Sequence, residues 1–238
     1  MTSNLIQLDS NHRNIAVRLS GGPDSAIIYH AVCDFYKDDG SANIYPYTMA
    51  SPLRPHAIRK AQDVIRIVNS LTGRMATQHY TLFHDSHNAQ NTWDINSYEY
   101  TKGQEDLEAI VFNELEIDAR YAGMSINCPA PDMMQMITSM LDDVDTIACL
   151  NSLETRDISR DIPTAPVVSN IANTALYLPF AESDKRVVYS VYQDYNVLDE
   201  LYPYTWSCEN DMQAQHADPE HCGTCYFCLE RLYAFGKL

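Results

Sequence analysis

The sequence predicts an α/β protein with a parallel sheet flanked by helices, and three observations predict it. Strand-like and helix-like stretches alternate from Asn14 to Phe83. A glycine-rich loop joins the first strand to the first helix, and the second helix is amphipathic and stops at a glycine. Alternation at this spacing favours parallel pairing through right-handed crossovers. In such sheets ligands bind at the carboxyl ends of the strands.

Taken in order, Asn14 to Leu19 reads as a buried strand that runs straight into Ser20-Gly21-Gly22. From Asp24 to Tyr36 the spacing is helical, with Ile27, Ile28, Ala31, Val32 and Phe35 on one side. Ile44 to Met49 is a second strand. Pro55 to Leu71 is an amphipathic helix with Ile58, Ala61, Ile65 and Val68 on one face, stopped by Gly73. Gln78 to Phe83 is a third strand. The polar and aromatic stretch from His84 to Gly103 suits a lid or an interface segment. Asp106 to Ile117 reads as a helix, Arg120 to Ile126 as a strand and Pro131 to Leu141 as a helix. Residues 142 to 173 read weakly. Ala175 to Leu178 is a short strand and Asp184 to Tyr195 a helix. From Val197 onward the chain reads as short pieces around cysteines.

At 238 residues the chain is long enough for one substantial core. Its net charge of -16 argues against broad nucleic-acid binding, which needs a basic face. An anionic small molecule would need local positive potential from a helix N-terminus, a cation or a few placed Lys and Arg. No apolar run is long enough to span a membrane, and Met1 to Ile6 has no secretory pattern, so the expectation is a cytoplasmic protein. The seven cysteines, an odd number, read as reduced. Cys33, Cys128 and Cys149 are scattered and read as small buried apolar residues.

The loop Ser20-Gly21-Gly22-Pro23-Asp24-Ser25 has the chemistry of an anion site. Its glycines permit close backbone approach, the helix N-terminus offers N–H groups, and Ser20 and Ser25 offer hydroxyls. Asp24 fits such a site as a magnesium ligand or as a helix cap. The loop lacks the Gly-Lys-Ser/Thr of a Walker A loop and the G-x-G-x-x-G of a dinucleotide fingerprint.

The second constellation is Cys208, thirteen residues, then Cys222-x-x-Cys225-x-x-Cys228. Four thiolates at such spacings suit one tetrahedral zinc, with all positions filled and therefore a structural role. An iron–sulfur cluster is the rival. The ferredoxin run that begins this way wants a further cysteine at position 232, which is Leu. His216 and His221 read as exposed loop histidines.

The S-G-G-x-D-S pattern after the first strand resembles the signature of the PP-loop ATP pyrophosphatases. The rest of the chain adds Leu178-Pro179-Phe180 through Lys185, then Trp206-Ser207-Cys208. It ends on His221-Cys222-Gly223, Cys228, Arg231 and Ala234-Phe235. Together these resemble the 7-cyano-7-deazaguanine synthase family, with a divergent, phage-type member in view. His56, after the second strand, falls where that family has a histidine, and Gly123-Met124-Ser125-Ile126-Asn127 faintly follows its central segment.

The resemblance implies an adenine nucleotide alpha hydrolase-like, Rossmann-like fold. Residues 1–180 would form the ATP-binding domain and residues 181–238 a helical segment with the zinc site. It implies ATP, Mg2+ and one structural Zn2+. Ser20, Gly21, Gly22, Asp24 and Ser25 would bind ATP. Asp24, Ser25 and Lys185 would serve catalysis, Lys185 by neutralising phosphate charge. His56 and Asn127 would be substrate candidates. The implied reaction converts 7-carboxy-7-deazaguanine and ammonia to the nitrile through adenylated intermediates, in a possible homodimer with no membrane or direct nucleic-acid partner. Two alternatives stay open: another AMP-forming PP-loop enzyme (an ammonia-dependent amidoligase or a tRNA-thiolation type), and a catalytically inactive structural relative.

Overall fold

Ile15, Ala16 and Val17 have no solvent exposure, as a strand covered on both faces requires. They form β1 (Asn14–Arg18), a central strand of the sheet in the computed structural model. The structure describes residues 5–51, 54–83, 95–123, 131–140, 167–171, 174–181, 183–208 and 221–238. The other strands are β2 (Asn43–Ala50), β3 (Tyr80–Phe83), β4 (Ala119–Ala122), β5 (Val167–Ile171) and β6 (Thr174–Leu178). Their order across the sheet is β3-β2-β1-β4-β6-β5. The first five in that order pair in parallel, as the alternating pattern predicts. β5 adds an antiparallel edge.

The helices are α1 (Pro23–Phe35), α2 (Ala57–Thr72), α3 (Ile95–Glu114), α4 (Pro131–Met140), α5 (Lys185–Asp194), the single turn α6 (Leu198–Leu201) and α7 (Tyr226–Phe235). Alternation along β1 and β2 sends side chains to two cores. Ile15, Val17 and Ile44 pack with α1, α2 and α5 and with Phe235 of α7. Ala16, Tyr45, Tyr47 and Met49 pack with Leu107 and Val111 of α3. Arg120 of β4 is buried on that second face, paired with Glu108 of α3, and its Nε donates to the Tyr47 hydroxyl at 3.0 Å.

Several boundaries move. α2 ends as expected, with Gly73 in the left-handed region at φ 73°. α3 starts at Ile95 and ends at Glu114, earlier at both ends than its apolar residues suggested. β4 stops at Ala122, and the expected continuation from Met124 to Ile126 lies outside the described residues. β5 and α7 emerge where only weak or short pieces were expected. Cys33 is fully buried, as expected of a small apolar residue, while Cys128 and Cys149 lie outside the described residues. Val187, Val188, Val191, Tyr192, Leu201 and Tyr202, all beyond Phe180, join the same core as α1. Among the described residues no helix is long and apolar enough to cross a membrane.

Candidate functional site

β1 and β4 are neighbours whose chains continue in opposite directions across the sheet, to β2 and to β6. A crevice opens at the carboxyl ends of such strands. The Ser20–Ser25 loop lies there because it follows β1 directly. Gly21 has φ 81°, and a Cβ on it would sit 2.9 Å from Cβ of Lys60 on α2. Only glycine meets both demands. Gly22 is the N-cap of α1, Pro23 opens the first turn, and the loop closes on itself. The Ser25 hydroxyl donates to the Gly22 carbonyl (3.1 Å), accepts from the Ser20 amide (3.2 Å) and lies 3.1 Å from the Ser20 hydroxyl. Gly123, just past β4, closes the other wall: a Cβ there would come within 2.7 Å of the Ser25 nitrogen.

Asp24 is not the helix cap, since that position belongs to Gly22. It is buried and forms an ion pair with Lys185, the first residue of α5. Glu230 of α7, also buried, lies 3.7 Å from the same ammonium. Burial alone would lower the Lys185 pKa, but the charges of Asp24 and Glu230 outweigh it and raise the value above the ordinary lysine range. The adjoining Arg231 is buried too. Its guanidinium donates to the Thr205 hydroxyl (2.9 Å) and lies 4.3 Å from the centre of the Tyr202 ring. Two buried carboxylates thus face one buried ammonium beside the loop, with the buried Arg231 guanidinium near enough to act on that ammonium. The Tyr192 hydroxyl donates to the Pro23 carbonyl at 2.9 Å and ties α5 to the same turn.

The segment after Tyr204 forms a further wall. The Trp206 amide donates to the Gly21 carbonyl at 2.7 Å. The Trp206 ring stacks on His221 at 4.2 Å, and the Lys60 ammonium lies 5.0 Å from the Trp206 ring centre. Lys60 has no carboxylate partner among the described residues, so it is the available cation beside the loop. His221 is half-buried rather than exposed, which corrects the sequence expectation. Burial, with Arg231 nearby, holds its imidazole down to about 4 and therefore neutral. His216 lies outside the described residues.

The cysteines converge. The sulfurs of Cys208, Cys222, Cys225 and Cys228 all lie within 4.8 Å of one another. Cys222 and Cys228 are 3.9 Å apart, and Cys225 and Cys208 are 4.0 Å apart. Zn–S bonds of about 2.3 Å in a tetrahedron place sulfurs about 3.8 Å apart, so the four residues fit a single ion. Four irons with bridging sulfides would hold the thiolates much further apart. The amides of Thr224 and Cys225 donate to the Cys222 sulfur (3.4 and 3.2 Å), a pattern that stabilises a thiolate. Without a cation, the proton that Cys208 shares with the neighbouring Cys225 sulfur, together with burial, pushes the Cys208 thiol up to about 12. A bound cation is what would ionise such a cluster.

The sequence-derived candidates therefore gather in one region. Ser20, Gly21, Gly22, Asp24 and Ser25 form the loop, Lys185 lies beneath it and the four cysteines flank it. His56 is half-buried at the start of α2, on the same carboxyl edge of the sheet. Asn127 lies outside the described residues. Lys60, Glu230 and the contact between Trp206 and Gly21 were not anticipated, since nothing local in the sequence marks them. A groove of about 780 Å³ lined by Ile6, Phe35, Tyr177 and Tyr195 lies at the far end of α1, roughly 20 Å from the loop, and is separate from this site.

No protein-family model matches the sequence, and no curated protein matches it. Solved structures do. The U34-tRNA thiolase NcsA of Methanococcus maripaludis, solved with its [4Fe-4S] cluster, aligns with a TM-score of 0.50 and 15% identity, over 98% of this chain and 77% of that one. Phosphoadenylyl-sulfate reductase of Candida auris, in a phosphate complex, aligns at 0.41 and 10% identity over 82% of this chain and 83% of its own. NAD+ synthetase of Burkholderia pseudomallei aligns at 0.40 and 10% identity over 96% and 77%. At these identities the likeness is one of fold, and the fold is the Rossmann-like, adenine nucleotide alpha hydrolase-like architecture.

Proposed function

We propose that this protein is an AMP-forming enzyme of the PP-loop type, in which the Ser20–Ser25 loop grips the pyrophosphate part of ATP. The observation that carries the reading is the loop itself. It is a closed serine–glycine turn at the N-terminus of α1, at the carboxyl end of β1, with the Lys60 ammonium alongside. The helix N-terminus and Lys60 would offset phosphate charge that the acidic chain otherwise repels. Lys185, expected to do so directly, is engaged by Asp24 and Glu230 and acts from below by fixing the loop. Mg2+ would arrive on the phosphates of ATP, since Asp24 is held by Lys185. Ser25 would hold the loop closed rather than attack.

For the substrate we propose 7-carboxy-7-deazaguanine and ammonia. The residues behind the resemblance support this, because Lys185, Trp206, Cys208, Cys228 and Arg231 all gather around the loop. Attack of the carboxylate on the α-phosphorus of ATP would release pyrophosphate and leave an acyl adenylate. Ammonia would displace AMP to give the amide. A second adenylation, on the amide oxygen, would let AMP depart with formation of the nitrile. The protein would contribute positioning and charge stabilisation. A metal at the four cysteines would be zinc, structural because no position is left open.

Incubation with ATP, Mg2+, ammonium and 7-carboxy-7-deazaguanine, followed by mass spectrometry, tests the reading. The expected products are AMP, pyrophosphate and the nitrile. AMP without the nitrile keeps the ATP chemistry and discards the substrate. No AMP with any carboxylate or amide offered discards both. Metal analysis is expected to find one zinc per chain; iron in its place would favour the sulfur-transfer alternative.

A further inference from the structure

The four-cysteine centre and the glycine loop meet through two short routes. Cys208 lies two residues after Trp206, whose amide holds the Gly21 carbonyl at 2.7 Å. Cys228 lies two residues before Glu230, which faces the Lys185 ammonium at 3.7 Å, and Lys185 in turn pairs with Asp24. One route reaches the first half of the loop and the other its second half. Both start from residues whose sulfurs lie in the same cluster. An ion binding all four sulfurs would fix the distance between these two chain segments, and so the span of the loop between them. Glu230 is 3% exposed, so water does not replace its charge at Lys185.

We propose that Glu230 is a positioning residue of the loop, and that a metal ion at the cysteines sets the loop's binding shape through Glu230 and Trp206. This rests on the reading that the loop binds ATP, but its first test does not. Hydrogen exchange of the 20–27 segment is compared in metal-loaded wild type, in metal-loaded Glu230→Gln and in chelated wild type. Glu230→Gln preserves the shape of the side chain and removes its charge. In that variant loop protection is expected to fall about tenfold, the loss of one charge-assisted contact, while β1 and β2 keep theirs and the metal content is unchanged. Chelation is expected to act the same way, with recovery on adding zinc. Unchanged loop protection in the variant or on chelation overturns the proposal. Uniform loss along the whole chain also overturns it, because the residue or the metal would then serve folding alone.

The second arm is binding of the non-hydrolysable analogue α,β-methylene-ATP. Its Kd is expected to rise about tenfold in Glu230→Gln and to recover in part in Glu230→Asp, which retains the charge. Equal Kd in wild type and Glu230→Gln sinks the positioning role and leaves the ATP reading intact. A metal-loaded wild type that does not bind the analogue sinks the ATP reading, and the exchange measurement still judges the link between metal and loop.

Discussion

Lys60 shows how much a single side chain beside this loop can change. Its stem fills the space that a side chain at Gly21 would need, and its ammonium rests over Trp206. A cation–π contact of this kind holds the charge in place at little cost in desolvation. Phosphate oxygens in the loop would compete for it as a charge-assisted partner. Lys60→Ala is therefore expected to raise the KM for ATP about tenfold, as the loss of one such hydrogen bond implies. Because Lys60 is only half-buried, stability should change by about 0.5 kcal/mol or less. Steady-state kinetics and urea denaturation separate the two, and an unchanged KM would remove Lys60 from the site. Little in the sequence singles this residue out: it is one of 16 Lys and Arg, inside an ordinary amphipathic helix. The loop it serves was legible, because strand, glycines, serine and helix are consecutive.

At the scale of elements, α1, α5 and α7 are pinned together by Asp24, Lys185 and Glu230. Removing the central cation takes its charge away from two buried carboxylates, a loss that typically costs about 3–5 kcal/mol. Lys185→Met should show that loss in urea denaturation at neutral pH. The pH dependence follows from the direction of the shift. Lys185 has a folded pKa raised above the unfolded lysine value of about 10.4, so its contribution is complete below that value and fades as pH climbs through the folded one. Wild type should lose stability on that alkaline limb, and Lys185→Met should lack this component. A wild-type curve that falls on the acid side alone would contradict the assignment. The pair joins residues 161 positions apart, so no periodicity could announce it. Local pattern did place β1, β2, β6, α1, α2 and α5, where apolar spacing and caps agree. It missed β5, a short antiparallel edge without alternation. It misjudged α3, whose first turns are polar and whose buried anchors, Leu107 and Val111, come late. It missed α7 because the eye is drawn to Cys225 and Cys228 as ligands rather than to Leu229 and Phe235 as a helix face.

For the whole molecule, one apolar core joins residues on both sides of position 180. Val187, Val188, Val191, Tyr192 and Leu201 are almost or fully buried against the helices of the first part, and Phe235 stacks on Tyr202 at 4.1 Å. A fragment of residues 1–180 would expose that apolar face of α1. It is expected to lack a cooperative thermal transition and the near-ultraviolet dichroism of the full chain. A fragment that melts cooperatively would show that the first part folds independently. The acidity of the chain belongs at this scale too: with -16 spread over 238 residues, the positive potential for an anion must be local, and the loop region supplies it through Lys60 and a helix terminus.

The hydrogen bond from Trp206 to Gly21 also sets an order of events during synthesis. The loop leaves the ribosome long before the groups that hold it, Lys185, Trp206 and Glu230. Domains tend to fold from the N-terminus as they emerge, and contacts between distant positions form late. A nascent chain can thus build β1, α1 and β2 early and still lack the contacts that shape the loop. The loop takes its final shape only after Lys185, Trp206, Glu230 and the cysteines have been made, so any binding there waits for the cysteine segment.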